Sequence, residues 1–504
     1  VSGSVWLPPG ARPDSLPAIP RQRTPSWAQP DPIDELAVRL DDFIAAAVHP
    51  DEIAALLESD GLSDDRIRER YGVKNSFALA EELYERVDRR YPEPEDLPHD
   101  PWRIGLLACL LRGVVFVLPG FAHLLGAPLL AGPRGDLGLP AGTVPLLAGA
   151  LTGWAWNQGL AHRAYAWLGL GDRSSARRCL LLGAPVGALL GALAALAVAG
   201  TAQPAAVAFA AGQSCYLGAS TTLLVLGRER ALLAALLPMA AGTLPTLVRD
   251  VPESARVLLL LGSLAAVVVL ALVEVAPAVR DLGRGCWTAG LTALLPFGAP
   301  GGRPPAPVGG PRLAASLPYA LFGLASGVLV LYAALGEVLA GGELSAIAAP
   351  AAVALTLSMG PAEWLLHRFR SDSLAGLRST GSPRAFRRAT VRTLAVCLIG
   401  YLAVLLALAL TTAALWPHTP SPDGFRLAGL LMLGVVLWTG LLLQSVGAVL
   451  GGAAICCAAA LVQTLALVTH TGTPHIVGLV VYGAAAAAQA VLVCGLLGRA
   501  TAHR

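Results

Sequence analysis

Two stretches of the chain carry no Asp, Glu, Lys or Arg: 49 residues from Cys179 to Gly227 and 72 from Leu427 to Gly498. A helix crosses a bilayer with about 20 apolar residues, so each stretch holds two or three passes. Further apolar blocks bring the count to twelve: Arg103–Phe121, Pro140–Ala161, Cys179–Gly200, Gln203–Gly227, Ala231–Val248, Val257–Val279, Leu313–Glu337, Leu344–Leu365, Thr393–Leu415, Leu427–Leu450, Gly451–Val468 and Ile476–Gly498. The expected fold is all-α and polytopic, with about 12 transmembrane helices in two six-helix halves. Cys286–Gly298 is a shorter apolar stretch of 13 residues, interrupted by Pro296, and reads as a linker helix that does not cross.

Before the first block the pattern changes to short amphipathic helices. Asp34–Ala47 places Leu36, Leu40, Phe43, Ile44 and Ala47 on one stripe, and Asp51–Glu58 presents Ile53, Leu56 and Leu57. Ser63 is an N-cap with acids in the following turn, Arg68 and Arg70 close that helix, and Gly72 stops it. Asn75 or Ser76 then caps Phe77–Arg90, whose apolar face is Phe77, Leu79, Ala80, Leu83, Tyr84 and Val87. Residues 1–30 are rich in Pro, show no sustained period and lack an apolar leader core, which predicts a disordered tail without a cleavable signal.

Charge divides the chain the same way. Between Asp31 and Asp100 there are 20 acidic and 8 basic residues, a net of −12, which leaves about +15 elsewhere. DDRIRERYGV has the cadence of a helix-turn-helix, but a domain this acidic repels a polyanion, so no nucleic-acid partner is expected. The expected domains are the tail (1–30), an acidic cytoplasmic helical domain and linker (31–101), a first membrane half (102–279), a cytoplasmic linker (280–312), a second half (313–498) and a cytoplasmic tail (499–504). The acidic head is a candidate for cytoplasmic protein contacts.

Basic residues assign the sides. Arg173, Arg177 and Arg178 join spans 2 and 3, Arg228 and Arg230 join spans 4 and 5, and seven arginines lie between Leu366 and Arg392. The loops on the other side are poorer in Lys and Arg, except around Arg249 and Arg256. Both termini are therefore expected in the cytoplasm, with Arg368–Arg392 on the same side. Gly 55 against Phe 10 describes helices packed closely through small residues. The eight cysteines form no CxxC pair and read as small buried hydrophobes.

A faint internal repeat is visible. Span 2 ends GWAWNQGLAHRAYAW, with Trp154 ahead of His162-Arg163, and span 8 ends GPAEWLLHRFR, with Trp364 ahead of His367-Arg368. Both precede a basic segment that leads into the third span of its half. Together with QGLAHRAYAWLGLGDRSSARR and MGPAEWLLHRFRSDSLAGLRSTGSPRAFRRA, this layout resembles the multidrug, oligosaccharidyl-lipid and polysaccharide exporter superfamily, and within it the polysaccharide-export branch. The resemblance spans roughly 103–498 in topology and those two segments in sequence; the acidic head departs from the family's plan. It implies a bacterial plasma-membrane flippase that exports a lipid-linked or free glycan, or another amphiphile, by alternating access. Membrane lipids and a polyprenyl-linked glycan would be its partners.

Candidate residues follow from polarity inside apolar blocks. Glu274 is an acid deep in its span and a candidate for proton or sodium coupling; no bound cofactor or metal is expected. Asn157 and Gln158 in span 2, Gln213 with Tyr216 and Ser220 in span 4, Gln444 in span 10 and Gln463 in span 11 are candidate cargo contacts or interhelical glue. His162, Arg163, Glu363, His367, Arg368 and Arg370 are candidates for a cytoplasmic gate or for holding lipid headgroups. Pro238 and Pro245 are expected to bend span 5. GxxxxGK[ST], HExxH and GxSxG are absent, and an enzyme is not expected. The alternative to transport is a membrane scaffold or anchor for envelope or cell-division assembly, for which the acidic head is the best argument.

Overall fold

The computed structural model describes residues 31–88, 90, 105–135, 137–200, 202–247, 251–282, 311–341, 348–379, 382–415 and 423–497. The tail, the Pro92–Pro101 linker, Cys286–Gly298 with most of the central linker, and 499–504 lie outside them. The chain divides into two compact units, Val1–His99 and Asp100–Arg504.

Among its described residues the first unit forms five short helices: α1 (Pro32–Arg39), α2 (Asp41–Ala46), α3 (Pro50–Ser59), α4 (Asp64–Tyr71) and α5 (Ser76–Arg86). The expected Asp34–Ala47 helix is broken at Leu40, which turns the chain (φ −107°). Ile44, Ile53, Leu57, Ile67, Leu79 and Leu83 fill the core. Asn75 caps α5 by accepting from the Ala78 N–H at 2.9 Å, and Gly72 ends α4 in the left-handed region. Phe77, assigned to the apolar face, is 52% exposed. Arg86 draws α1 and α5 together through Asp31 and Asp34. The Ile33 N–H and Arg86 hold the Asp31 carboxyl below its ordinary range. A depressed carboxylate favours the fold at neutral pH, and that contribution is lost as pH falls through the folded pKa.

The second unit is built of helices among the described residues, with one isolated β-bridge between Arg134 and Pro140: α6 (Leu106–Val117), α7 (Gly120–Leu130), α8 (Thr143–Gly169), α9 (Arg173–Ala199), α10 (Pro204–Val225), α11 (Glu229–Thr243), α12 (Glu253–Leu282), α13 (Leu317–Leu339), α14 (Ala348–Leu357), α15 (Met359–Ser379), α16 (Pro383–Leu415), α17 (Gly424–Ser445), α18 (Val449–Val468) and α19 (Pro474–Leu497). It is a multi-pass membrane protein, but the expected twelve spans in two six-helix halves are not found. Eight helices among the described residues are long and apolar enough to cross: Leu106–Leu130, Arg173–Ala199, Glu253–Val279, Leu313–Leu339, Arg384–Leu415, Gly424–Ser445, Val449–Val468 and Pro474–Leu497.

Counting apolar blocks overcounts for identifiable reasons. α8 and α10 are long, but Asn157, Gln158, His162 and Arg163 dilute one, and Gln213, Ser214, Ser220 and Thr222 the other. α11 contains Pro238, has 15 residues and passes into a 3₁₀ turn at Leu244–Leu247 that includes Pro245. At 1.5 Å per residue its length of about 22 Å falls short of a hydrocarbon core of about 30 Å. The Leu344–Leu365 block splits at Ser358 into α14 and α15. The first block, by contrast, extends beyond its expected end at Phe121 to Leu130, because Leu118 and Pro119 stay in the right-handed helical region and carry α6 into α7 as one 25-residue span.

α8, α9 and α10 pack on one another, α12 lies against α9, α10 and α11, and α17, α18 and α19 pack together and share with α13–α16 an apolar core that includes the fully buried Trp438. Two seams join parts distant in sequence: α8 on α13, and α6 on α14 and α15. At the second seam Gly113 faces Gly360, and a Cβ on Gly360 would stand 2.7 Å from the Cys109 carbonyl oxygen. Backbone cannot yield as a side-chain tip does, so Gly360→Ala is expected to force α6 and α15 apart at a cost of about 1–3 kcal/mol. A lowered thermal unfolding midpoint of the solubilised protein checks this.

Candidate functional site

Charged side chains gather where α10 gives way to α11. Gly227 adopts φ +73°, and the Leu224 and Leu223 carbonyls accept from the Gly227 and Arg228 N–H groups at 3.1 and 2.8 Å. This turn closes α10 and delivers Arg228 and Glu229 side by side. Arg228 Nε meets Glu274 Oε1 of α12 at 2.8 Å. Glu229 Oε1 accepts from Arg112 Nη2 of α6 at 2.6 Å, and Arg112 Nη1 donates to Glu363 of α15. His367, one turn along α15, places Nε2 3.8 Å from Glu363 Oε1. An alternating run from Glu274 to His367 thus links α12, the α10–α11 turn, α6 and α15. The Glu274 side chain is only 18% exposed, and carboxylates so enclosed persist when a cation balances them.

A second cluster lies at the other end of the bundle. Arg426 at the start of α17 grips both carboxylate oxygens of Glu337 near the end of α13, at 2.7 Å each. His475 Nδ1 is 3.6 Å from the same carboxylate. These residues line a cavity of about 100 Å³ with Tyr332, Phe425, Pro474 and Tyr482. α13 and α17 show that the two clusters occupy different levels. Ser316, just before α13, meets His162 at 3.0 Å, whereas the end of α17 receives Arg370 Nη1 on the Ser445 carbonyl at 2.7 Å. Along these helices the levels are on the order of 20–30 Å apart.

The uncharged candidates do not converge on one cavity. Asn157 (7% exposed) donates to the Gly153 carbonyl at 2.7 Å, while its Oδ1 has no hydrogen-bond partner within the protein. Gln158 packs on α13 at Gly323. Gln213 lies against His123, and Tyr216 lies near Ser220 one turn along, whose hydroxyl donates to the Leu217 carbonyl at 3.1 Å. Gln463 (6% exposed) meets Tyr482. Gln213 Oε1, Gln444 Nε2 and Gln463 Oε1 are also buried without partners. Gln203 Oε1 is a fifth such atom among the described residues; a buried amide atom left unpaired costs about 1–3 kcal/mol, so five in one bundle call for an explanation.

The two segments that carried the repeat differ in surroundings. His162 stacks on Tyr319, ring centroids 3.8 Å apart, and Arg163 is buried and donates to the Pro311 carbonyl at 2.9 Å. His367 instead joins the Glu363 cluster, while Arg368 is exposed over the Trp364 ring and 3.7 Å from Asp372. Sequence reasoning passed over Arg112, Glu229, Arg426 and the pair Thr439–Gln489, in which the hydroxyl donates to a fully buried amide. Arg112 was findable as a cation within the first apolar block. No metal-holding group of His, Cys, Asp and Glu occurs among the described residues. No protein-family model matches the chain, and no curated protein matches it.

Proposed function

We propose that the chain is a secondary transporter of the flippase kind, moving a glycan-bearing or other amphiphilic cargo across a bacterial plasma membrane. One observation carries this reading: interhelical ion pairs sit at two levels of a membrane bundle, with partnerless amide atoms at and between those levels. Ion pairs between separate helices can break and re-form as two packings exchange, which alternating access requires. Uncharged amides suit sugar hydroxyls, because they offer donors and acceptors without the desolvation cost of a charge. Proton or sodium coupling at Glu274 would have to displace Arg228, which already balances that carboxylate.

Asn157→Leu separates cargo contact from glue. The change keeps the branching shape and removes an amide whose carbonyl oxygen has no protein partner. Transport of a labelled polyprenyl-linked glycan in proteoliposomes is expected to fall severalfold, while the unfolding midpoint stays level or rises. A lowered midpoint with unchanged transport would mark Asn157 as glue. The scaffold reading draws on the separately packed acidic unit; it predicts no cargo movement in this assay.

A further inference from the structure

Beside the Glu274–Arg228 pair lies a cavity of about 340 Å³, lined by Arg173, Arg177, Leu226, Gly227, Arg228 and Glu274. That volume falls within the range of small-molecule sites, roughly 300–1,000 Å³. Three guanidinium groups face one carboxylate, a net of +2 in a recess formed by the start of α9, the α10–α11 turn and α12. Arg228 is engaged by Glu274. Arg173 and Arg177 have no ion-pair partner among the described residues, and the Arg177 Nε is buried without a hydrogen-bond partner. The nearby Asp172 does not neutralise them by hydrogen bonding: its carboxylate accepts from the Ser174 and Ser175 hydroxyls at 2.8 and 2.6 Å.

Arginines at the end of a spanning helix need no explanation beyond topology when they point into water. Here Arg173 and Arg228 are exposed and Arg177 is half-buried, and all three line one cavity, so the recess presents a concentrated positive field to an approaching anion. Guanidinium forks match the oxygens of a tetrahedral phosphate, which can accept from several at once. Leu226 adds an apolar wall. We infer that this cavity binds a phosphate-type oxyanion, either as a lipid headgroup or as a free phosphate or pyrophosphate. Glu274 then sets the strength of the site: paired with Arg228 it withholds one cation, and without it all three arginines face the ligand. This binding does not depend on the chain being a transporter.

The test uses the full chain and two probes. Inorganic pyrophosphate is titrated calorimetrically into protein in uncharged detergent, and lipid retention is measured by native mass spectrometry from phosphatidylcholine nanodiscs with and without phosphatidic acid. Arg173→Gln/Arg177→Gln is expected to weaken binding about tenfold or more, whereas Glu274→Gln is expected to strengthen it, and both effects should shrink at high salt. Pyrophosphate binding identifies a free anion, and retention of phosphatidic acid alone identifies a headgroup. Should the double variant fail to fold, Glu274→Gln carries the test by itself. Absence of binding by both probes, or weaker binding in Glu274→Gln, would overturn the inference.

Discussion

Replacing Arg112 by Gln is expected to loosen α6 from α11 and α15 and to cost the folded bundle about 3 kcal/mol. Arg112 stands between Glu229 and Glu363. Its loss leaves two partly enclosed carboxylates without the guanidinium between them, and among the described residues only His367, 3.8 Å from Glu363, stays in reach. Removing one member of a buried ion pair costs about 3–5 kcal/mol, and the lower end applies because these groups keep some contact with solvent. Arg112→Gln/Glu363→Gln should recover part of the loss, since it removes one of the stranded charges. Chemical unfolding of the four members of this cycle in one detergent checks it; equal losses in the single and double variants would show that Arg112 acts through packing alone.

Arg426→Gln is expected to open the other end. Glu337 loses both of its short bonds, and His475 at 3.6 Å is a weaker replacement. A cysteine introduced at Ala334, which lines the adjoining cavity, should then react with a water-soluble thiol reagent about tenfold faster in a background lacking the native cysteines. An opening free energy lowered by about 1.4 kcal/mol suffices for that factor. An unchanged rate would mean that the Glu337 carboxylate does not hold α13 against α17.

Much of the candidate chemistry was legible because ions and amides inside apolar blocks are costly and stand out. Glu274, Glu363 and His367 were visible in this way, and the structure joins them through Arg112, Arg228 and Glu229. Their partners were harder to see. Arg228 and Glu229 read as loop residues until the Gly227 turn places them against α12 and α6. Glu337 and Arg426 sit at opposite ends of separate helices, and only packing brings them together. The span count failed where hydropathy alone was asked to set length. A proline and a 3₁₀ turn shorten α11, Ser358 divides α14 from α15, and polar side chains dilute α8 and α10. In the acidic unit, five of the six apolar positions assigned to α5 lie in or against the core, while Phe77 at its first turn stays open. Helix period alone does not report where a neighbouring helix ends.

Transport itself is tested most directly by reconstituting the full chain in sealed vesicles that hold a fluorescent polyprenyl-diphosphate-linked glycan in both leaflets, then adding an impermeant quencher. Protein-containing vesicles should lose nearly all of the fluorescence, because cargo from the inner leaflet reaches the outer one, and Arg112→Gln should change the rate severalfold. Loss of only the outer-leaflet half, equal to that of protein-free vesicles and repeated with other amphiphilic cargo, would contradict the transport reading.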